Sequence, residues 1–433
     1  MSAGSSGEHT LPDSICPLPW VNLSLDVDGS SRPCCKFAQL RAIDSPYEMA
    51  SLRDTALDEV WNSAGMRRLR RDFRAGRRPA ECSTCWDEEA AGIESYRQTF
   101  VAYRALSVAI DFDDDAPEAP AALDLKLSNA CNLKCRICGP VASSLWLQEE
   151  LSIAEPEPGS FLAELREDRL YYRANKITRD PTNRESIQSW LRSLEYLELT
   201  GGEPMMSPEN RELIELIDRE GTPERIGILF NTNATVLDDR ILGRLQRFRE
   251  VKVCLSIDDI GERLEYQRAP ARWSDVEANL ARYQEVAGAG WYLYAFCSVS
   301  VLNVWYLPEY VRWLTARDDD VPMELVLNLV HYPRHFSIQV LPEAVKAALE
   351  RRLRSEILDD PDTPPSIAMA VREVLSFLEG ARPEDEESWH RCVDTIRERD
   401  GIRGEHFVRA FPELVAELDR AGAWPHGTSV ELS

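Results

Sequence analysis

Residues 130–140 read ACNLKCRICGP, which places Cys131, Cys135 and Cys138 within eight positions. Cysteines strewn at this chain's frequency would give the spacing C-x3-C-x2-C roughly 0.007 times, so chance is a weak account of it. The stretch follows LDLKLS (123–128), a strand-like run, so three thiolates fall in one loop at a strand C-terminal end. That is where α/β proteins keep their sites. Structural zinc prefers four ligands, whereas three closely spaced thiolates can hold a [4Fe–4S] cluster and leave one iron open to a substrate or cofactor.

Outward from this loop, strand-like runs alternate with helical ones: LEYLELT (194–200), RIGILFN (225–231), VKVCLSI (251–257), WYLYAFCSVSV (291–301) and MELVLNLV (323–330). With LDLKLS they make six strands. Between them, SPENRELIELIDREG predicts a helix capped by Ser207, with Pro208 in its first turn and Gly221 at its stop. In SDVEANLARYQEVAG, Ser274 and Glu277 form a capping-box pattern. The alternation implies a parallel sheet with helices outside, as an open doubly wound sheet or a full or partial barrel. The connection 141–193 is too long for a plain crossover; FLAELREDRLYYRANK and ESIQSWLRSL within it look helical, and it reads as an insertion over the sheet mouth. Three regions are expected: 1–110, ending at the acidic linker DFDDDAPEAP; the α/β core at 121–340; and a helical extension at 341–433, with PEAVKAALERRLRSEIL and SIAMAVREVLSFLEG as amphipathic runs.

The 433 residues carry 50 basic and 74 acidic side chains, a net charge of −24, which opposes binding to nucleic acid or anionic lipid. With 44% hydrophobic residues the chain can bury a core without disulfides. The opening MSAGSSGEHT lacks the basic and apolar regions of a signal peptide, and no apolar run is long enough to span a bilayer, so the expected location is the cytoplasm. In that reducing compartment the eleven cysteines are metal ligands, catalytic groups or buried core residues.

CNLKCRIC resembles the cluster loop of the radical S-adenosylmethionine (radical SAM) superfamily, with Ile137 where many members have an aromatic residue. The resemblance implies a partial (β/α)6 TIM-like barrel whose [4Fe–4S] cluster, on Cys131, Cys135 and Cys138, binds SAM. TGGEP resembles the superfamily's GGE motif, implying that Gly201, Gly202 and Glu203 approach the methionine ammonium of SAM. NTNAT resembles the TNG-type turn, with Asn233 as a contact to SAM or substrate. LSIDD followed by YQR resembles the SPASM and twitch branch, implying that Ser256 and Arg268 hold the SAM carboxylate and that Asp258 faces the active site. Asp258 and Glu203 are the positional candidates for acid–base work. His331, Tyr332, Arg334 and His335 of HYPRH are candidates for substrate contacts at a further strand end.

The first hundred residues contain ICPLPW, DVDGSSRPCC and ECSTC. VNLSLDV and SRPCC flank an Asp-Gly turn, which predicts a hairpin. Twelve residues separate Cys16 from Gly29 and four separate Gly29 from Cys34, a pattern similar to the auxiliary-cluster segment of SPASM and twitch proteins, here ahead of the core instead of after it. That resemblance implies a second, auxiliary [4Fe–4S] cluster on Cys16, Cys34, Cys82 and Cys85, with Cys35 as a substitute for Cys34. Spacing alone leaves a four-cysteine zinc site open. RRLRRDFRAGRR, with seven arginines in twelve residues, reads as an exposed face balancing nearby acidic charge, or as a dock for an acidic reductase or anionic peptide. Cys254, Cys297 and Cys392 read as buried, inert thiols.

The expected activity is that of a radical SAM oxidoreductase. It would cleave SAM reductively, with electrons from a flavodoxin- or ferredoxin-like donor, to a 5′-deoxyadenosyl radical. That radical would take a hydrogen atom from a metabolite or peptide, and the auxiliary cluster would make the outcome a net oxidation or a cross-link. The alternative is a zinc-stabilised, non-redox binding protein with a TIM-like barrel.

Overall fold

A computed structural model describes residues 11–424 apart from 38–44, 91, 93, 105, 154, 158–159, 161, 164–165, 167–175 and 381–384. The helical reading of 161–176 falls almost wholly outside the described residues. Eight strands form a sheet in the order β2-β1-β3-β4-β5-β6-β7-β8. These are β1 Asn22–Leu25, β2 Ser31–Arg32, β3 Ala122–Leu125, β4 Tyr196–Leu199, β5 Gly227–Thr232, β6 Glu250–Ser256, β7 Trp291–Val299 and β8 Met323–Leu329. The six strands read from the sequence are β3 to β8, with every end within three residues of the end of its apolar run. The chain divides into two compact units, Met1–Ala130 with Glu150–Asn231 and Asp238–Lys252, and Cys131–Glu149 with Thr232–Leu237 and Val253–Ser433.

In the first unit β1 and β2 form the expected antiparallel hairpin, with Gly29 at φ +79° in its turn. Its other edge was not legible in the sequence: β1 pairs in parallel with β3, and β3 with β4, so that Ser24, Asp124 and Glu198 share one register. Leu23, Leu25, Leu123, Leu125, Leu197 and Leu199 alternate with them and are at most 2% exposed. One sheet face is therefore apolar and the other carries charge. The helix Pro208–Glu220 starts as expected, with the Ser207 hydroxyl accepting from the Asn210 N–H and Pro208 in the first turn, and it ends at Gly221.

The arginine-rich run forms the helix Ala64–Arg74 and its C-terminal flank. Arg70 is wholly buried over the Trp61 ring, bonding the carbonyls of Pro19, Trp61 and Asp115. Arg71 pairs with Asp115, Arg74 with Asp113, and Arg77 with Asp72. The acidic segment is thus strapped to this helix, and Trp20 and Trp61 donate to the carbonyls of Asp114 and Pro117. Arg67 donates to the Asn62 carbonyl, Arg68 lies over the Tyr47 ring and Arg78 over Trp86, so all seven arginines have partners inside the chain.

In the second unit β7 and β8 pair in parallel. After β6 comes a short helix, Gly261–Gln267, and the next one departs from expectation: it spans Trp273–Val286, so Ser274 lies inside it and not at its N-cap. The free donor at its start, the Trp273 N–H, is taken by the Glu265 carboxylate at 2.8 Å, which does the work expected of Ser274. The C-terminal extension is helical, with Glu343–Leu353, Pro365–Leu378, Asp385–Arg403 and Pro412–Arg420. Cys254, Cys297 and Cys392 are buried, at 6%, 0% and 0% exposure. Among the described residues no helix is long and apolar enough to cross a membrane.

Candidate functional site

The cysteine loop belongs to the second unit and is held peptide by peptide. The N–H groups of Lys134 and Arg136, which bracket Cys135, donate to the carbonyls of Ala269 and Gln267 at 2.7 and 2.8 Å. The Trp146 indole donates to the Cys135 carbonyl at 2.7 Å, and Ser143 Oγ to that of Leu133 at 2.5 Å. Cys135 is buried, Cys131 half-buried and Cys138 exposed. A hydrogen bond from Cys138, then the positive charge of Arg268, hold the Cys135 thiol below its ordinary range against the effect of burial; the same bond pushes Cys138 up.

Around this loop stand three of the expected residues. Asn233 Nδ2 donates to Asn132 Oδ1 at 2.9 Å and lies 3.9 Å from Cys131 Sγ, while its Oδ1 accepts from the N–H and Oγ1 of Thr235. The turn after β5 therefore clasps the first cysteine. Ala234 holds φ +59° there, its carbonyl taken by Asn279 at 2.8 Å. Arg268 Nη1 lies 3.8 Å from Cys135 Sγ and its Nη2 is 2.7 Å from Asp258 Oδ2. Asp258 Oδ1 accepts the Ser298 N–H at 2.8 Å, so both carboxylate oxygens are engaged and the residue orients Arg268. Burial would lower Arg268, but Asp258 and Cys135 outweigh it and hold the guanidinium charged. Arg268 Nε is buried without a partner. Ser256 is the last residue of β6.

The GGE turn belongs to the first unit, packed on the residues that lead into the cysteine loop. Gly201 and Gly202 have φ +78° and +54°. A Cβ on Gly202 would lie 2.4 Å from the Ala130 carbonyl oxygen, and one on Gly201 2.9 Å from Lys126 Cβ. The Glu203 N–H donates to that same Ala130 carbonyl at 2.8 Å, one residue before Cys131, and its buried carboxylate accepts from the Met205 N–H. Asn129 Nδ2, in the packed stretch, is buried without a partner. In the first unit, an orphaned donor at Asn129 beside a glycine cradle suits a ligand rich in acceptors.

The four N-terminal thiols also meet. Cys16, Cys34, Cys82 and Cys85 line one cavity with Leu18, Phe37, Phe73, Trp86, Tyr96 and Arg97. Cys34 is part of that lining, whereas Cys35 is exposed and outside it. Burial pushes all four thiols up, Cys82 to about 12, so ionising the set needs compensating positive charge, which iron ions supply. Among the described residues no three His, Cys, Asp or Glu side chains converge closely enough to hold a single metal ion; these thiols ring a cavity instead.

A charged network not foreseen in the sequence adjoins this cavity. Tyr96 lines the cavity, and its hydroxyl is 3.4 Å from Arg104 Nη2, which donates to Glu198 at 2.6 Å. Asp124, beside Glu198 on β3, accepts from Ser24 at 2.7 Å. Burial, then the Asp124 charge, raises Glu198 to about 7 despite Arg104; burial likewise raises Asp124. Asp26, half-buried, is held low by Lys126 and Arg32. The alternation of Glu198 with Leu197 and Leu199 was the available signal; nothing local indicated Arg104. HYPRH resolves differently from expectation. Arg334 bonds Asp385 and Gln339, His331 packs on Phe377, and burial with Arg391 lowers His335 to about 4, while Tyr332 is 89% exposed. Arg334 and His331 thus tie β8 to the C-terminal helices.

The fold and these sites define an α/β protein with two separate cysteine sets, one of three thiols and one of four. It holds a radical SAM domain with a SPASM domain ahead of it: residues 125–302 match the radical SAM superfamily and residues 16–86 match SPASM, an iron–sulfur cluster-binding domain. Such chains bind SAM and carry iron–sulfur clusters, an auxiliary one included. Among solved structures it is similar to native anSMEcpe with bound AdoMet (17% identity, TM-score 0.33, covering 55% of this chain and 62% of that one). It is also similar to Streptococcus suis SuiB bound to S-adenosylmethionine (14%, 0.30, 59% and 64%) and SuiB bound to precursor peptide SuiA (13%, 0.30, 57% and 62%). The matches span less than two thirds of those chains. No curated protein matches the sequence.

Proposed function

We propose that this protein is a radical SAM oxidoreductase of the reducing cytoplasm, in which Cys131, Cys135 and Cys138 hold the SAM-binding [4Fe–4S] cluster and Cys16, Cys34, Cys82 and Cys85 hold an auxiliary one. Reductive cleavage of SAM supplies a 5′-deoxyadenosyl radical that takes a hydrogen atom from a metabolite or a peptide side chain. Cys16, Cys34, Cys82 and Cys85 would hold an auxiliary cluster able to accept one electron from the substrate radical, whose proton would go to solvent, so that the outcome would be a dehydrogenation or a cross-link. Gly201, Gly202, Glu203, Asn233, Ser256 and Arg268 serve SAM, with Asp258 as the residue that positions Arg268.

The carrying observation is the contrast between the two cysteine sets. Three thiols sit beside a buried arginine with an uncommitted Nε, as an open iron with a charged ligand needs, and four thiols close a cavity of their own, as an electron-transfer cluster needs. Anaerobic reconstitution tests it: about eight irons per chain are expected from two four-iron clusters. Dithionite with SAM should yield 5′-deoxyadenosine from the wild type and none from Cys135→Ala. Stoichiometric zinc without absorption near about 400 nm, or 5′-deoxyadenosine formation by Cys135→Ala, overturns the assignment.

A further inference from the structure

Two of the five residues that separate the cysteines of the loop, Lys134 and Arg136, carry cations, and both are committed to anions within the second unit. Arg136, between Cys135 and Cys138, has a side chain 1% exposed; its Nη2 lies 2.6 Å from Asp400 Oδ1 and 2.5 Å from Glu405 Oε2. Its guanidinium stacks 3.8 Å over the Tyr266 ring, and the Tyr266 hydroxyl donates to Asp400 Oδ1 at 2.8 Å. Asp400 Oδ2 in turn accepts the Phe407 N–H at 2.7 Å. Lys134, between Cys131 and Cys135, pairs with Glu149, which Arg403 grips at 2.8 Å through Nη2. Asp400 and Arg403 lie on one helix, Asp385–Arg403, more than 250 residues along the chain from the loop, in the extension whose sequence suggested packing alone.

We propose that the helix Asp385–Arg403, with Glu405 just beyond its end, is a positioning element for the SAM-binding cluster: Asp400 and Glu405, acting through Arg136, and Arg403, acting through Glu149 and Lys134, fix the loop so that its three sulfurs hold one spacing. The inference rests on the reading of Cys131, Cys135 and Cys138 as cluster ligands. Its physical basis is the asymmetry of the loop's supports. The backbone bonds to Gln267 and Ala269 fix the peptides on either side of Cys135 but leave the Arg136 side chain free to swing. A three-thiolate cluster has no fourth protein ligand to tolerate such motion. A bidentate-capable guanidinium held between two carboxylates and an aromatic face removes that freedom. Ligand geometry elsewhere depends on such outer partners to a comparable degree, with losses of 10–100-fold in metal affinity when they are removed.

The test uses the full reconstituted chain and its auxiliary cluster as an internal control. Iron release to a chelator is followed in the wild type, in Asp400→Asn/Glu405→Gln, which keeps shape and hydrogen bonds but removes charge, and in Arg136→Lys, which keeps charge but loses the fork. The EPR change on adding SAM to the reduced protein identifies the SAM-binding cluster. The expected result is release of that cluster's iron at least about tenfold faster in the double variant, with the four remaining irons leaving at the wild-type rate. Arg136→Lys should fall between. Equal acceleration of both populations, the mark of a helix that merely holds the fold together, overturns the proposal, as does wild-type release from both. If the double variant does not fold, the same comparison in Arg136→Lys decides. A wild type with no SAM-sensitive signal would instead sink the cluster assignment on which the proposal rests.

Discussion

Replacing Gly202 by alanine tests how the GGE turn is built. Two costs add. At φ +54° an L side chain meets the left-handed penalty, about 1–2 kcal/mol. The new Cβ would also stand 2.4 Å from the Ala130 oxygen and 2.8 Å from the Asn129 carbonyl carbon, so backbone must move by about 1 Å to restore contact, at an overpacking cost of about 1–3 kcal/mol. The sum is about 2–5 kcal/mol. The atom that must yield belongs to the residue before Cys131 and accepts the Glu203 N–H, so the strain falls on the entry to the cysteine loop. Urea unfolding should show this loss, and anaerobic SAM titration followed by EPR should show affinity lowered at least about tenfold, as expected when a positioned group shifts by 1 Å. Gly243→Ala is the control: it sits in the helix Asp239–Leu245, meets nothing within 4 Å, and should gain about 0.5–1 kcal/mol. A Gly202→Ala protein with wild-type stability and wild-type SAM affinity would refute the reasoning.

Three further outcomes are expected. Glu198, with its folded pKa near 7 against an ordinary 4.5, keeps a proton that the unfolded chain has released, so stability should fall as pH rises between about 4.5 and 7; Glu198→Gln should flatten that slope in denaturant titrations across the range. Cys34→Ser should cost about four irons per chain while Cys35→Ser keeps all of them, because only Cys34 lines the four-thiol cavity; equal losses would reverse that choice. Asp258→Ala leaves the buried Arg268 unpaired and should destabilise by about 3–5 kcal/mol, whereas Arg74→Ala, breaking the exposed pair with Asp113, should cost under about 1 kcal/mol in the same urea assay.

The sequence by itself determined the six core strands, the helix beginning at Ser207 and the motif loops at the strand ends, because apolar runs and turn residues act over a few positions of chain. It also marked both cysteine sets, since ligand spacing is local. What only the tertiary structure decided is everything that joins distant segments. Ser274 follows its local pattern, yet Glu265 satisfies the helix start from the preceding helix. Cys34 and Cys35 are adjacent in sequence and differ only in which way the hairpin turns them. The parallel pairing of β1 with β3 puts Ser24, Asp124 and Glu198 in one row, and Arg104 reaches Glu198 from 94 residues away. Arg136 finds Asp400 across 264 residues. A buried charge is tolerable only where the fold brings it a partner, and no periodicity in the chain announces which partner that will be.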